Sequence, residues 1–282
     1  MKSSTKLYIV ATPIGNLKDI TLRAIEVLKE VDVIAAEDTR TSKKLLQHYG
    51  IQKPMMALHE HNERSQVENI LAKLGQGKNI ALISDAGTPL ISDPGAKMVA
   101  SVRAEGYEVS PIPGPCAAVS ALSVSGIENT RFCFEGFLPA KAQARIKALE
   151  VLKHESRTII FYESPHRILE TLNAISEVFS DRKIMLIKEI TKIHESIVEG
   201  SAQEVVNWIQ AEPGREKGEF VLLIESVADA AESVESDLHL RKCLHSLLPL
   251  LPTKQVVDLL SDIFSKKRNL IYKMALEYKD SM

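Results

Sequence analysis

Cysteine is scarce in this chain. There are three, Cys116, Cys133 and Cys243, and none belongs to a C-x-x-C pair. An odd, unpaired set excludes a disulfide framework and a zinc ribbon, and it suits a reducing cytoplasm. Proline and glycine, 12 and 13 in 282 residues, are not in excess, and no segment is low in complexity, so long disorder is not expected. No run of about 18 apolar residues exists, so nothing should span a membrane. The apolar stretch at residues 7–11, after Lys2 and Lys6, faintly outlines a signal peptide, but it is too short, and Pro13, Gly15, Asn16 and Lys18 end it. There is no excess of one charge either: the net value is −2, which argues against a generic nucleic-acid coat such as one for DNA.

Several catalytic signatures are also missing. Without G-x-x-x-x-G-K-S/T, P-loop nucleotide hydrolysis is unsupported. Gly75-Gln76-Gly77 lacks a third glycine and follows a helix, so it is no dinucleotide fingerprint. There is no H-E-x-x-H, and His59-Glu60-His61 reads as surface or substrate-facing rather than as a metal site. No metal is expected.

What is present is an ordinary globular composition, 45% hydrophobic and 26% charged, in a length that fits two compact domains and a small appendage. Charge is unevenly distributed. Residues 236–282 hold eight Lys/Arg and five Asp/Glu, leaving 27 and 32 in the body. A basic appendage on an acidic body can hold a polyanion locally, or can simply be a solvated helical face.

Apolar periodicity predicts strands at 7–11, 31–35, 80–83 and 107–111, alternating with helices at 20–29, 41–49, 67–74 and 96–105. That alternation means a parallel sheet with helices on both faces, and ligands in such sheets bind outside the carboxyl ends of the strands. The second half predicts helices at 117–124 and 143–153 and strands at 132–137, 158–162, 184–187 and 220–225. Ser164 is placed to cap a helix whose first position is Pro165. An Ala/Glu/Ser-rich linker lies near 230, followed by helices at 238–248, 253–264 and 266–278. The last two outline a helix-turn-helix with basic residues at its break. RNA docking and a packing or dimerisation role both remain open for it. The fold class is α/β, with domains at 1–113 and 114–230 and a helical tail at 236–282.

Three loops carry the chemistry. Thr12-Pro13-Ile14-Gly15-Asn16 closes the first strand, Pro13 stiffening the turn and Gly15 allowing close backbone approach. Ser84-Asp85-Ala86-Gly87-Thr88-Pro89, then Ser92-Asp93-Pro94-Gly95, follows a buried strand. Such a loop exposes backbone donors and acceptors in a fixed shape and suits a zwitterionic ligand with a ribose. Pro113-Gly114-Pro115-Cys116-Ala117-Ala118 opens a helix with small residues against which a flat ring can lie, Cys116 reading as packing rather than as a nucleophile.

These segments, in this order, resemble the tetrapyrrole-methylase superfamily, whose two α/β domains hold S-adenosylmethionine in the cleft between them. Together with Ala36-Glu37-Asp38-Thr39-Arg40, residues 59–63, Phe161-Tyr162-Glu163-Ser164-Pro165-His166-Arg167, Lys188-Glu189-Ile190-Thr191-Lys192 and Gly218-Glu219-Phe220, they are most similar to its branch of 16S rRNA cytidine 2′-O-ribose methyltransferases. The similarity spans residues 7–225, and the tail matches that branch's helical module. Ile190 stands where that branch is expected to have Leu. The resemblance implies that Pro13, Gly15, residues 84–88 (Ser84, Asp85, Ala86, Gly87 and Thr88), Pro113, Gly114, Cys116 and Ala117 hold S-adenosylmethionine. It also implies a homodimer acting on 16S rRNA in the small ribosomal subunit near the decoding centre.

Methyl transfer from a sulfonium needs no metal and draws chiefly on positioning, with help from a proton acceptor for the ribose hydroxyl. Glu189, Glu163 and Asp38 are candidates for that acceptor, and Lys188 is another if burial lowers its pKa. Glu189 is favoured because its strand ends at the expected cleft. Asp38, Arg40, His166, Arg167 and Lys192 are candidates for holding the RNA, the cations through its phosphates. Each of these charged groups has a salt bridge as its alternative role. Two other functions fit the same motifs less well: methylation of a tetrapyrrole, and ribosome assembly without catalysis.

Overall fold

The structure, a computed structural model, describes residues 5–59, 62–127, 131–226, 240–264 and 268–280. The expected linker near 230, Glu60 and His61, and the basic break at residues 265–267 lie outside the described residues.

The first sheet comprises β1 (Lys6–Val10), β2 (Val33–Ala36), β3 (Met55–Ala57), β4 (Ile80–Ile83) and β5 (Glu108–Ile112), in the order β3-β2-β4-β1-β5 and wholly parallel. Side chains alternate across it with a period of two. Ile34, Ala36, Ala81 and Ile83 pack on one face against Ala24 and Leu28 of α1 (Leu22–Glu30) and Leu46 of α2 (Thr39–His48). Ala35, Ile80 and Leu82 pack on the other against Ile70 and Leu74 of α3 (Glu63–Gly75) and Met98 and Val102 of α4 (Ala96–Ala104). Burial on both faces is why these strands read as continuous apolar runs.

The second sheet is mixed. It comprises β6 (Phe132–Phe137), β7 (Thr158–Glu163), β8 (Ile184–Lys188), β9 (Ser196–Gly200) and β10 (Phe220–Ile224), in the order β6-β7-β10-β8-β9. Only β6–β7 is parallel; β10 runs antiparallel between β7 and β8. One face buries Phe161, Leu186 and Leu222 beneath α7 (Ile168–Val178) and α8 (Ala202–Gln210), with α6 (Ala142–Val151) alongside. The other face buries Ile160, Ile187 and Leu223 against Ala118 and Ala121 of α5 (Ala117–Ser123). In the tail, α9 (residues 240–247), α10 (Thr253–Phe264) and α11 (Arg268–Asp280) enclose a small core of their own around Leu244, Val257, Leu260 and Ile271.

Two sequence expectations need correction. Ser164 and Pro165 do not start a helix. They form a separate turn, Arg167 N–H donating to Ser164 O at 3.1 Å, and α7 begins at Ile168 without a side-chain cap. The Ser164 N–H is already taken by the Glu163 carboxylate (2.8 Å), which holds the chain in that turn. Strands β3 and β9 and helix α8 were not expected. β3 is three residues long, and β9 is an edge strand (Ser-Ile-Val-Glu-Gly) of which no residue is fully buried. Helix α8 carries a reciprocal capping box between Ser201 and Glu204, a signal visible in the sequence.

Candidate active site

The carboxyl ends of the first sheet's strands face the second sheet across a cavity of about 470 Å³. The loop after β1 contributes Ile14, that after β2 contributes Glu37, and the start of α5 contributes Cys116 and Ala117. The long loop after β4 contributes most, from Asp85 to Thr88 and from Ile91 to Asp93. The far wall is Phe137, Tyr162, the Glu163–Pro165 turn, Ile190 and the head of β10.

The first part of the β4–α4 loop is tied down on two sides. Thr12 and Gly87 exchange backbone hydrogen bonds (2.9 and 3.1 Å), and Thr12 Oγ1 donates to Ser84 O at 3.2 Å. Thr88 Oγ1 donates to Pro115 O at 3.1 Å, joining this loop to the entry of α5. Gly87 has φ +81°, and Leu90 and Ser92 also have positive φ, at 73° and 68°. Non-glycine residues held there cost on the order of 1–3 kcal/mol each, and such strain gathers at ligand clamps.

Three carboxyls meet at this loop. Burial pushes Glu37 above the usual carboxylate range, and the charges of Asp93 and Asp85 push it further. Burial likewise raises Asp85 and Asp93, against hydrogen bonds from Asp38 N–H and the Ser84 hydroxyl respectively. Opposite them the Tyr162 hydroxyl accepts from Ala118 N at 3.0 Å, and burial pushes its phenol well up. The Tyr162 ring stacks edge-on with Phe134 and Phe137, at 4.8 and 5.8 Å between centroids.

Of the residues expected to hold a cofactor, Asp85, Ala86, Gly87, Thr88, Cys116 and Ala117 line the cavity. Pro13, Gly15, Ser84, Pro113 and Gly114 stand in the same loops, behind or beside the lining. A Cβ on Gly114 would lie 2.9 Å from Ala11 Cβ, so this glycine lets the β5–α5 connection cross β1. A Cβ on Gly15 would meet the Lys192 stem at 2.5 Å, so the close approach at Gly15 joins the two halves of the chain.

The charged candidates are heavily engaged. The Glu163 side chain is fully buried. It accepts from Thr171 Oγ1 (2.6 Å) and Ser164 N–H, and pairs with Arg167 at 3.4 Å. Arg167 also donates to Leu138 O. Lys188 is buried at the end of β8. Burial pushes Glu189 up, but the Lys192 ammonium (2.8 Å) and the Glu219 N–H (2.8 Å) outweigh it and leave the carboxyl below its usual range. Lys192 bridges Glu189 and Glu219 (3.0 Å); burial opposes its charge, and the two carboxylates raise its pKa overall. Asp38 caps α2 through Arg40 N–H (2.8 Å) and pairs with the Arg40 guanidinium, which holds its carboxyl down. Arg40 and His166 are exposed.

Several lining residues given no role from the sequence, among them Glu37, Tyr162, Glu219 and Ile190, lie inside quoted motifs. Phe137 and Val221 do not, and only packing places them here. Among the described residues no group of three His, Cys, Asp or Glu side chains is arranged to hold a metal, and no helix is long and apolar enough to cross a membrane.

Comparison with known proteins gives a consistent result. Residues 6–206 match the family model for tetrapyrrole (corrin/porphyrin) methylases. Proteins named ribosomal RNA small subunit methyltransferase I are similar along nearly the whole length. That of Pasteurella multocida (strain Pm70) is 51% identical, covering 96% of this chain and 97% of the relative. That of Escherichia coli O157:H7 is 49% identical, covering 98% and 96%. Among solved structures, a cobalt precorrin-4 methyltransferase of cobalamin biosynthesis aligns with TM-score 0.60 and 17% identity over 80% of this chain and 96% of its own. Diphthine synthase aligns with TM-score 0.60 and 14% identity over 78% and 90%. At such identities these two speak to the fold alone. By sequence and by fold, the chain belongs to the tetrapyrrole methylases, in the group of ribosomal RNA small subunit methyltransferase I proteins.

Proposed function

We propose that this protein transfers the methyl group of S-adenosylmethionine to the 2′-hydroxyl of a cytidine ribose in 16S rRNA of the small ribosomal subunit. The observation that carries the reading is the cavity between the sheets, with three mutually repelling carboxyls on one wall and apolar and aromatic side chains around them. Its volume falls in the range of small-molecule sites, roughly 300–1,000 Å³. S-adenosylmethionine carries a sulfonium and an ammonium against one carboxylate, so its net positive charge relieves the repulsion among Glu37, Asp85 and Asp93. Ile14, Ile91 and Phe137 offer apolar surface to the adenine. The backbone from Ala86 to Thr88 offers polar groups to the ribose and carboxylate, with Pro13, Gly15, Ser84, Pro113 and Gly114 holding the loops in place.

When bound, S-adenosylmethionine supplies a methyl group already activated on a sulfonium. The chain's own contribution is positioning, for which effective molarities of roughly 10⁵–10⁸ M are attainable. The buried Glu163 fixes the Ser164–Pro165 wall. Glu189 and Lys192, with Lys188 behind them, orient Glu219, whose side chain is 74% exposed and whose carboxylate takes the ribose proton. Exposed Arg40 and His166 meet RNA phosphates, while Asp38, Arg167 and Lys192 set the shape of the loops around them. The free cysteines are in keeping with a cytoplasmic protein. Two α/β domains, 1–113 and 114–230, and a tail at 236–282 complete the reading, with a homodimer as the working unit.

The test is to map ribose 2′-O-methylation in small-subunit RNA from cells with and without the protein, and after adding the purified protein back. One cytidine should gain a methyl group. No protein-dependent ribose methylation would remove the proposal.

The carboxyl cluster adds a pH dependence. Its members protonate above the ordinary carboxylate range, so their pull on a cation is full near neutral pH and fades as pH falls through the raised values. Calorimetric affinity for S-adenosylmethionine should fall severalfold as pH is lowered from neutral through these raised titrations, and Asp93→Asn should flatten that slope. Stability of the ligand-free fold moves oppositely. The folded state holds these protons more tightly than the unfolded chain, so the cluster's contribution to stability is present at low pH and is lost as pH rises.

A further inference from the structure

The loop between β8 and β9 does something that neither sheet requires. Glu189 and Thr191 both sit at positive φ, 53° and 65°, and Thr191 is β-branched, for which this conformation is a marked outlier. Such a loop persists only if its surroundings over-determine it, and they do. Glu189 N–H donates to Glu219 O (2.9 Å), Thr191 N–H to the Glu195 carboxylate (2.6 Å), Lys192 N–H to Glu189 O (2.9 Å) and Glu195 N–H to Lys192 O (3.2 Å). The Lys192 ammonium is clamped between Glu189 and Glu219, and its stem lies on Gly15 of the opposite half.

This rigid frame carries Ile193, which is 96% exposed, the highest value among the large apolar side chains described. Leu22 and Val151, next at 79%, lie on helices packed outside the sheets. Ile193 instead stands three residues from Ile190, a lining residue, and one from Lys192, which holds the lining residue Glu219. An isoleucine displayed on a strained loop held by these hydrogen bonds, close in the chain to the cavity lining, is left almost wholly to solvent.

We infer that Ile193 is an apolar wedge that enters the RNA base stack beside the target nucleotide and keeps that nucleotide splayed toward the cavity. The inference rests on the RNA-methylating function proposed above. Isoleucine is among the side chains that proteins insert between bases, and such a wedge unstacks the step it enters. The segment 188–195 carries two Lys and two Glu, so it brings no net attraction for phosphate. What it offers RNA is shape and apolar surface. Because the loop is already held in its strained form, the wedge need not be ordered when substrate arrives.

Ile193→Ala and Ile193→Asp remove the wedge without touching the fold, since the side chain contacts almost nothing. With small ribosomal subunits lacking the methyl group as substrate, kcat/KM should fall about tenfold for Ile193→Ala and further for Ile193→Asp, while Ile193→Met keeps most of the activity. Calorimetric affinity for S-adenosylmethionine should not change. 2-Aminopurine placed beside the mapped nucleotide should brighten on adding the parent protein and stay dim with Ile193→Ala. Equal turnover by parent, Ala and Asp proteins would overturn the wedge while leaving the methylating function intact; an inactive parent protein would remove the function itself. A fall in activity accompanied by a smaller species in sedimentation would assign Ile193 to contact between copies of the chain and would also overturn the wedge.

Discussion

Glu163→Ala is expected to cost about 3–5 kcal/mol of folding stability, the penalty for removing one partner of a buried ion pair. The carboxylate has no exposure and takes hydrogen bonds from the Thr171 hydroxyl and the Ser164 N–H while facing Arg167. Behind it the Arg145 guanidinium, also buried, reaches Thr171 at 3.5 Å and Glu170 at 2.7 Å. Removing the carboxylate strands two donors and a cation in the wall of the cavity. Glu163→Gln keeps the shape and one acceptor, and should lose about 1–3 kcal/mol. Urea unfolding of the three proteins measures this. A large loss of methyl transfer with stability unchanged in Glu163→Gln would instead make Glu163 a group that handles the substrate's proton.

Gly87→Val should weaken S-adenosylmethionine binding by about 100-fold, close to 3 kcal/mol. Two costs combine. A β-branched residue at φ +81° is strained by about 1–3 kcal/mol. The new Cβ would also stand 3.2 Å from Ile14 Cγ2 before its methyl groups are added, and Ile14 lines the cavity. Relief requires the Thr12–Gly87 bridge to open, which frees the loop bearing Asp85 from its anchor on β1. Calorimetry reads the affinity directly, and circular dichroism checks that the sheets survive. An affinity within threefold of the parent value would mean that the loop bends without consequence and is no clamp.

Most of the first sheet was legible because its inner strands β2 and β4 are buried on both faces and its helices end in Gly50, Gly77 and Gly106, each at positive φ; the three-residue β3 was not. The second was less so. β9 reads as polar because it is an edge, and the antiparallel order around β10 depends on long-range pairings, from Phe220 with Lys188 to Ile224 with Ile159, that no local pattern announces. The Ser164–Pro165 turn shows tertiary contact overriding a good helix-start signal: the cap that Ser164 offers is forestalled by the glutamate before it. For the site, the distinctive loops were visible, but their division of labour was not. Gly15 reads as room for a ligand, and no local pattern announces that the Lys192 stem from the other half lies against it. The acidic wall assembles from Glu37, Asp85 and Asp93, which lie on two loops and acquire a common electrostatic character only when folded.

The central place of β10 in the second sheet bears on how the protein is made. It is the last strand among the described residues, yet β7 and β8 meet only through it. On a translating ribosome the parallel sheet can close once residue 112 has emerged, whereas the mixed sheet must wait with two unsatisfied inner edges until residue 224 is free. For that interval of synthesis the nascent chain carries a finished half beside an open one, and the exposed edges of β7 and β8 are where misassembly or chaperone capture should concentrate.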